Sequence, residues 1–278
     1  MLSNYSLEIT TRDLAVLERS RPLLPSWTRI SITALPGESD DARIAAARAV
    51  ARMGFVPIPH VAARSLRSRA ALENLLERLH GDAGVDALFL IAGDIAEAAG
   101  EFPDALSVIR SGLLPKFGMR AVGIAGYPEG HPRISREILR AALRDKIATG
   151  RAQGLACDIV TQFGFDSAPI FAWLEELRAD GIGAPVRIGV AGPTSVRGLL
   201  RYAARCGVAI SAKAMTRYGV SVGRLLTTAT PDSLLRQLHD RLDPERHGEI
   251  EVHLYPFGGI ADCIDWARAW KPRHLELA

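Results

Sequence analysis

Glu8 lies within SLEI, His60 ends FVPIPH, Asp94 follows LFLIAG, Tyr127 and His131 follow AVGIAG in AVGIAGYPEGHP, and Tyr255 lies in EVHLYPF. In each case an apolar run meets a carboxylate, an imidazole or a phenol, the groups that move protons when something gathers them in one place. Thr33 adds a hydroxyl at the end of TRISIT, and Gln162 in VTQFGFD adds an amide. Flanked by Val160, Phe163 and Phe165, that amide has to hydrogen-bond something. Each residue also has a plain structural use. A glutamate can sit on an exposed strand edge, a histidine can cap a strand, Gly93-Asp94 can be a turn, and a backbone carbonyl can satisfy an amide. His253, two residues before Tyr255 and on the same face, has a purely structural reading too. His60, His131 and His253 come from separate runs without paired spacing, so no metal site is spelled out, and no serine sits in a nucleophile elbow. Cys157, Cys206 and Cys263 are widely spaced with no C-x-x-C pair, which fits inert buried thiols in a reducing compartment.

The elements that must position these residues follow from the pattern. Short β-rich runs cover 5–10, 28–33, 55–60, 86–91, 121–126, 158–163, 185–190 and 249–257, and segments of helical period separate them. Ser39-Asp40-Asp41 can cap a helix running through Met53, with Ile44, Ala47 and Val50 on one face and Gly54 as its stop. Ile138, Leu139, Ala142 and Leu143 give an apolar face after the fifth run, and Val196, Leu199, Leu200 and Ala203 give one after the seventh, before Gly207. Eight strands alternating with helices, with no linker, predict an α/β fold: a (β/α)8 TIM barrel formed as a single domain over 1–278. Two further helical patterns, around Val220–Leu226 and Pro231–Leu242, predict extra helices between strands seven and eight. A split into two domains near residue 207 is the competing arrangement, but no linker or shift in composition marks it. In such a barrel the site forms at the C-terminal ends of the strands, so Glu8, Thr33, His60, Asp94, Tyr127, His131, Gln162 and Tyr255 would meet in one polar ring. A closed barrel has no edge strand, so Glu8 would then face a polar cavity. Gly192-Pro193-Thr194-Ser195 has the composition of a strand-to-helix anion nest, and equally of a helix cap.

The chain has 278 residues and a formal net charge of +3, with acids and bases interspersed, so no basic stripe invites nucleic acid. The start MLSNYSLEITTRD has no basic leader or apolar h-region, and runs such as VDALFLIAG are too short to span a bilayer. A soluble cytoplasmic protein without membrane or nucleic-acid partners is the expectation, and homo-oligomerisation stays open.

Taken in order, SLEI, IPHVAARSL, IAGDIA, AGYPEGHP, VTQFGFD and HLYPF resemble the methylenetetrahydrofolate reductase family in its bacterial MetF form, over essentially the whole chain. AGYPEGHP is the most specific of these motifs, and VTQFGFD is next. The resemblance implies a TIM barrel that interconverts 5,10-methylenetetrahydrofolate and 5-methyltetrahydrofolate with NAD(P)H. It implies Glu8 as general acid at the folate, its pKa raised by a partly desolvated pocket, and Asp94 in contact with the pterin. Gln162 would orient the pterin, and Tyr255 would lie on the strand that closes the pocket. Thr33, His60, Gly93, Tyr127 and His131 match positions beside the flavin in FAD-containing members, and Lys146 matches a phosphate-binding lysine. There are departures. Glu8 is followed by Ile9-Thr10-Thr11-Arg12 rather than aromatic and paired-proline residues, and Ala92 stands where an arginine holds the FAD pyrophosphate. A folate-contacting glutamine falls at Gly198, and an arginine after strand eight is replaced within Gly258-Gly259. Two routes are therefore open, one through FAD and one by direct hydride transfer from NAD(P)H. Two other readings keep the barrel: a lyase or isomerase on a phosphorylated substrate anchored at Gly192–Ser195, and a folate-binding relative without catalysis.

Overall fold

The computed structural model describes residues 4–35, 37–205, 228–257 and 259–270. Eight parallel strands form the barrel: β1 (Ser6–Ile9), β2 (Arg29–Ile32), β3 (Val56–Ala62), β4 (Ala87–Ile91), β5 (Ala121–Gly126), β6 (Ala156–Thr161), β7 (Val186–Ala191) and β8 (Ile250–Tyr255). Each pairs with its neighbour in sequence, and β8 closes on β1. This is the (β/α)8 TIM barrel that the alternation predicts, with every strand within two residues of its expected run.

The surrounding helices are α1 (Leu14–Ser20), α2 (Asp40–Arg52), α3 (Arg69–Ala83), the short α4 (Ala105–Arg110) and α5 (Leu113–Lys116), α6 (Arg136–Ala152), α7 (Ser167–Ala179), α8 (Val196–Arg205), α9 (Asp232–Arg241), α10 (Pro244–His247) and α11 (Ile260–Ala269). Between β7 and β8 the chain carries α8, α9, α10 and an antiparallel pairing of Thr194–Ser195 with Thr228–Ala229, in keeping with the expected extra helices. Cys206, Gly207, the Val220–Leu226 pattern and Gly258 lie outside the described residues. Among the described residues no helix is long and apolar enough to cross a membrane.

The start of α2 shows the local logic. Ser39 Oγ accepts from Ala42 N at 3.2 Å, Asp40 and Asp41 sit at the positive end of the helix dipole, and Ile44, Ala47 and Val50 are buried. Gly54, at φ +85°, then takes the left-handed turn that ends it. α6 departs from expectation. Leu143, Ile147 and Gly150 face the core, but Ile138 is 61% exposed. The 17-residue helix runs about 25 Å while the six-residue β5 runs about 20 Å, so the first helical turn outreaches the strand that would cover it.

Strand alternation sorts the side chains. Leu7, Ile30, Ile188 and Val252 are fully buried in the layer between strands and helices. The bore holds Ile58, Ala87, Phe89 and Val160. Near the N-terminal ends of the strands the bore is ionic: Arg29 of β2 lies 3.2 Å from Asp158 of β6, Arg187 of β7 lies 3.3 Å from the same carboxylate, and Arg187 lies 2.6 Å from Glu251 of β8.

Candidate active site

At the other end of the bore, Glu8 of β1 stands between two imidazoles. His60 Nε2 of β3 and His253 Nε2 of β8 each lie 3.7 Å from Glu8 Oε2, slightly beyond hydrogen-bond length. His253 is 1% exposed and His60 5%, while the Glu8 side chain keeps 20% of its surface open. β1 and β8 pair so that Ser6 is opposite His253, and Ser6 Oγ lies 2.8 Å from His253 Nδ1. His60 packs at 4.7 Å against Phe89, and its carbonyl accepts from Arg43 Nη1 of α2 at 3.1 Å.

The electrostatics correct one expectation. Burial works to raise the Glu8 pKa, but the close approach of His253, the charges that His60 and His253 can carry, and the Thr33 hydroxyl outweigh it, and the net direction is down. The pocket is desolvated as anticipated, yet it is lined with groups that favour the charged carboxylate. Burial drives His60 down to about 4; Glu8 pulls the other way, and His253 and Arg43 add to the fall. His60 is therefore neutral at pH 7.

A second group of residues walls a cavity of about 390 Å³ formed by 127–132, 134–136 and 162–164, a size suited to a flat heteroaromatic ligand. Gln162 Oε1 accepts from Phe163 N at 3.0 Å, which leaves its NH2 as the donor end on this cavity. Tyr127 and His131 meet edge to face at 5.4 Å, and His131 Nδ1 accepts from Arg133 N at 3.2 Å. Burial, with the charge of the exposed Asp94 adding to it, raises the Tyr127 pKa. Gly93 sits at φ +92° against Ala62.

Tyr255 joins the two groups. Its ring lies 4.7 Å from that of His253, and its hydroxyl donates to Thr161 O at 3.0 Å, next to Gln162. Gly189 of β7 makes room, because a Cβ there would stand 2.8 Å from the Tyr255 ring and 2.3 Å from Thr161 O. Phe163, Phe257 and Tyr202 extend an aromatic wall, with Tyr202 stacked on Phe257 at 4.3 Å. Lys146 is not brought to the ring of strand ends. It is half-buried on α6 in the helical layer, where burial lowers its pKa and Asp104, the N-cap of α4, partly offsets this.

Two contributors were not legible as such. His253 meets Glu8 directly, and the available signal was the inward row Glu251, His253, Tyr255 at strand period. Glu129 is the other. Its Oε1 accepts from Phe165 N at 3.0 Å and its carboxylate also receives Asp166 N–H, so the middle of YPEGHP straps down the loop after β6. Gly164 permits this approach, since a Cβ there would stand 2.9 Å from Glu129 Oε1. Burial raises the Glu129 pKa and the two backbone donors partly counter it.

Fold and site together define a (β/α)8-barrel protein with an ionisable cluster at the C-terminal mouth of its strands. A family model described as methylenetetrahydrofolate reductase matches residues 11–221, well over half of the chain, and the chain belongs to that family. Glu8, His253 and Tyr255 lie outside the matched span. Among solved structures, a dihydropteroate synthase (FolP) from Thermus thermophilus is similar at 15% identity and TM-score 0.48, covering 97% of this chain and 96% of that one. A 3-dehydroquinate dehydratase from Aquifex aeolicus is similar at 12% identity and TM-score 0.42, covering 66% and 79%. A conserved Enterococcus faecalis protein of unknown function is similar at 10% identity and TM-score 0.49, covering 96% and 66%. At these scores the three likenesses carry no argument about this chain.

Proposed function

We propose that the protein interconverts 5,10-methylenetetrahydrofolate and 5-methyltetrahydrofolate, with NAD(P)H as the hydride partner. The observation that carries this reading is Glu8, in a member of this family, set between His60 and His253 and connected through Tyr255 to the Gln162 cavity. Reduction requires folate N10 to take a proton as the five-membered ring opens to an iminium, after which hydride adds to the methylene carbon. Glu8, a carboxylate with part of its surface open to water, relays that proton from solvent to N10. Asp94 accepts from the guanidine-like edge of the pterin, the Gln162 amide donates to it, and Tyr127 and His131 limit the tilt of the flat ring.

A resident FAD fits these residues poorly. Ala92 offers no cation, Arg64 spends its guanidinium on Pro103 O at 2.8 Å and Ile95 O at 3.2 Å, and Lys146 lies beside Asp104 in the helical layer. No step is assigned to a flavin. A nicotinamide dinucleotide must leave at every turnover and suits weaker phosphate anchoring, so hydride passes directly between the two substrates in one ternary complex.

Purified protein should show no flavin absorbance in the visible and should oxidise NADH or NADPH only when methylenetetrahydrofolate is present. Glu8→Gln should lower kcat by about 10²–10⁴-fold while folate still binds. Turnover close to that of the parent in this variant would remove the acid from the mechanism, and folate binding with no turnover in the parent would make the chain a binding protein.

A further inference from the structure

We propose that the cleft between α6 and α7 binds the adenosine half of the nicotinamide dinucleotide, with Trp173 as the stacking surface for the base and Arg136 as the partner of the pyrophosphate. The inference deepens the proposed reaction and rests on NAD(P)H being the hydride partner, but the affinity of the cleft for an adenine nucleotide is read without turnover.

The cleft has a local cause. On one side α6 leans on α4, on the other α7 packs against α9 and α10, and the gap between the two helices holds a cavity of about 210 Å³. Its floor is the end of β5, where Ala125 and Gly126 carry almost no side chain. A Cβ at Gly126 would stand 3.1 Å from the Trp173 indole, so the glycine lets that ring lie against the strand. Leu139 and Leu143 of α6 and Leu177 of α7 complete an apolar slot beside it. An indole that only filled space would be enclosed, whereas Trp173 is half-buried and borders open volume. A flat π-face framed by leucines is a surface on which a nucleobase stacks.

Position and charge say which base. Tyr127 and Arg136 line both this cleft and the larger cavity that carries Gln162, so one molecule can occupy the two in continuity. The dinucleotide has that form: its nicotinamide has to meet the pterin in the larger cavity, and its adenosine lies one pyrophosphate away. Arg136 is exposed at the junction, and its guanidinium makes no hydrogen bond or salt bridge among the described residues, which leaves it for an anionic bridge. Within the cleft Arg140 is already paired with Asp180, and Glu137 and Glu176 remain to accept from the adenine amino group and the ribose hydroxyls. The glutamate tail of a folate would set its own carboxylates against these acids, so the cleft suits the dinucleotide and not that tail. With Arg136 on the pyrophosphate and Arg140 on Asp180, a ribose 2′-phosphate would likewise face Glu137 and Glu176, so NADH is preferred to NADPH.

The test has a binding arm and a kinetic arm. ADP-ribose, which lacks the nicotinamide, should bind the parent in isothermal titration calorimetry, and Trp173→Leu, which keeps an apolar side chain on Gly126, should weaken it about tenfold or more. Arg136→Gln, a change at an exposed position, should weaken ADP-ribose about fivefold or more while adenosine, which has no phosphate, binds within about twofold of the parent. In turnover both variants should raise KM for NADH, with kcat and KM for folate within about twofold, and the parent's KM for NADPH should exceed that for NADH by about tenfold. Failure of ADP-ribose to bind the parent, or an unaltered affinity in either variant, would overturn the inference; so would turnover with NADPH as efficient as with NADH. ADP-ribose held by Trp173 and Arg136 in a protein that never oxidises NADH would instead sink the reductase reading and leave the nucleotide cleft standing.

Discussion

His60 illustrates how a single side chain makes stability depend on pH. Its folded pKa is depressed from 6.5 to about 4 by burial, so the unfolded chain takes up a proton that the folded chain refuses. Its contribution is fully present above about pH 6.5 and is lost as pH falls toward 4, by on the order of 3 kcal/mol. His60→Gln should flatten the fall in Tm between pH 6.5 and 4, which scanning calorimetry across that window would check; an unaltered slope would assign the acid sensitivity to other groups. At this scale the sequence was informative about type and poor about company. Glu8, His60 and Tyr255 were legible because polar residues interrupt apolar strands. That Glu8 would be held ionised was not legible, since the groups responsible come from β3 and β8, about 50 and 245 positions along the chain.

Among the elements, the loops after β5 and β6 behave as one unit because Glu129 ties them. Glu129→Ala should remove the carboxylate that the Phe165 and Asp166 N–H groups share, cost about 1–3 kcal/mol locally and, on the proposed reaction, raise KM for folate about tenfold. Hydrogen exchange over 163–166 should quicken in parallel; protection at the parental level would show that the strap is dispensable. AGYPEGHP and VTQFGFD each stood out in the sequence, but nothing in either showed that a carboxylate of one binds the backbone of the other. α6 gives the complementary case. Its helical period was plain, whereas its buried face was misjudged by one turn, because period reveals a stripe and not where the covering strand ends. Ile138→Ser should therefore cost less than about 0.5 kcal/mol, while Leu143→Ala should cost about 2–5 kcal/mol in urea unfolding. The short α4 and α5 were not anticipated, as helices of six and four residues are too brief to establish a period.

For the whole molecule, the barrel was readable from eight runs and their spacing, while its ionic base was not. Arg29, Asp158, Arg187 and Glu251 look like ordinary charges near strand starts, and only closure of the sheet brings them into one bore. Asp158→Ala should destabilise the protein by about 3–5 kcal/mol, seen as a lower urea midpoint, because it strips Arg187 of one of its two carboxylates inside the barrel and Arg29 of its counterion. A loss under about 1 kcal/mol would mean that water reaches these guanidinium groups freely. The base has a further consequence for any attempt to divide the chain. A cut between β4 and β5 would leave Arg29 in one fragment and Asp158, Arg187 and Glu251 in the other, so neither arc of the barrel could balance its inner charges until the two were reunited.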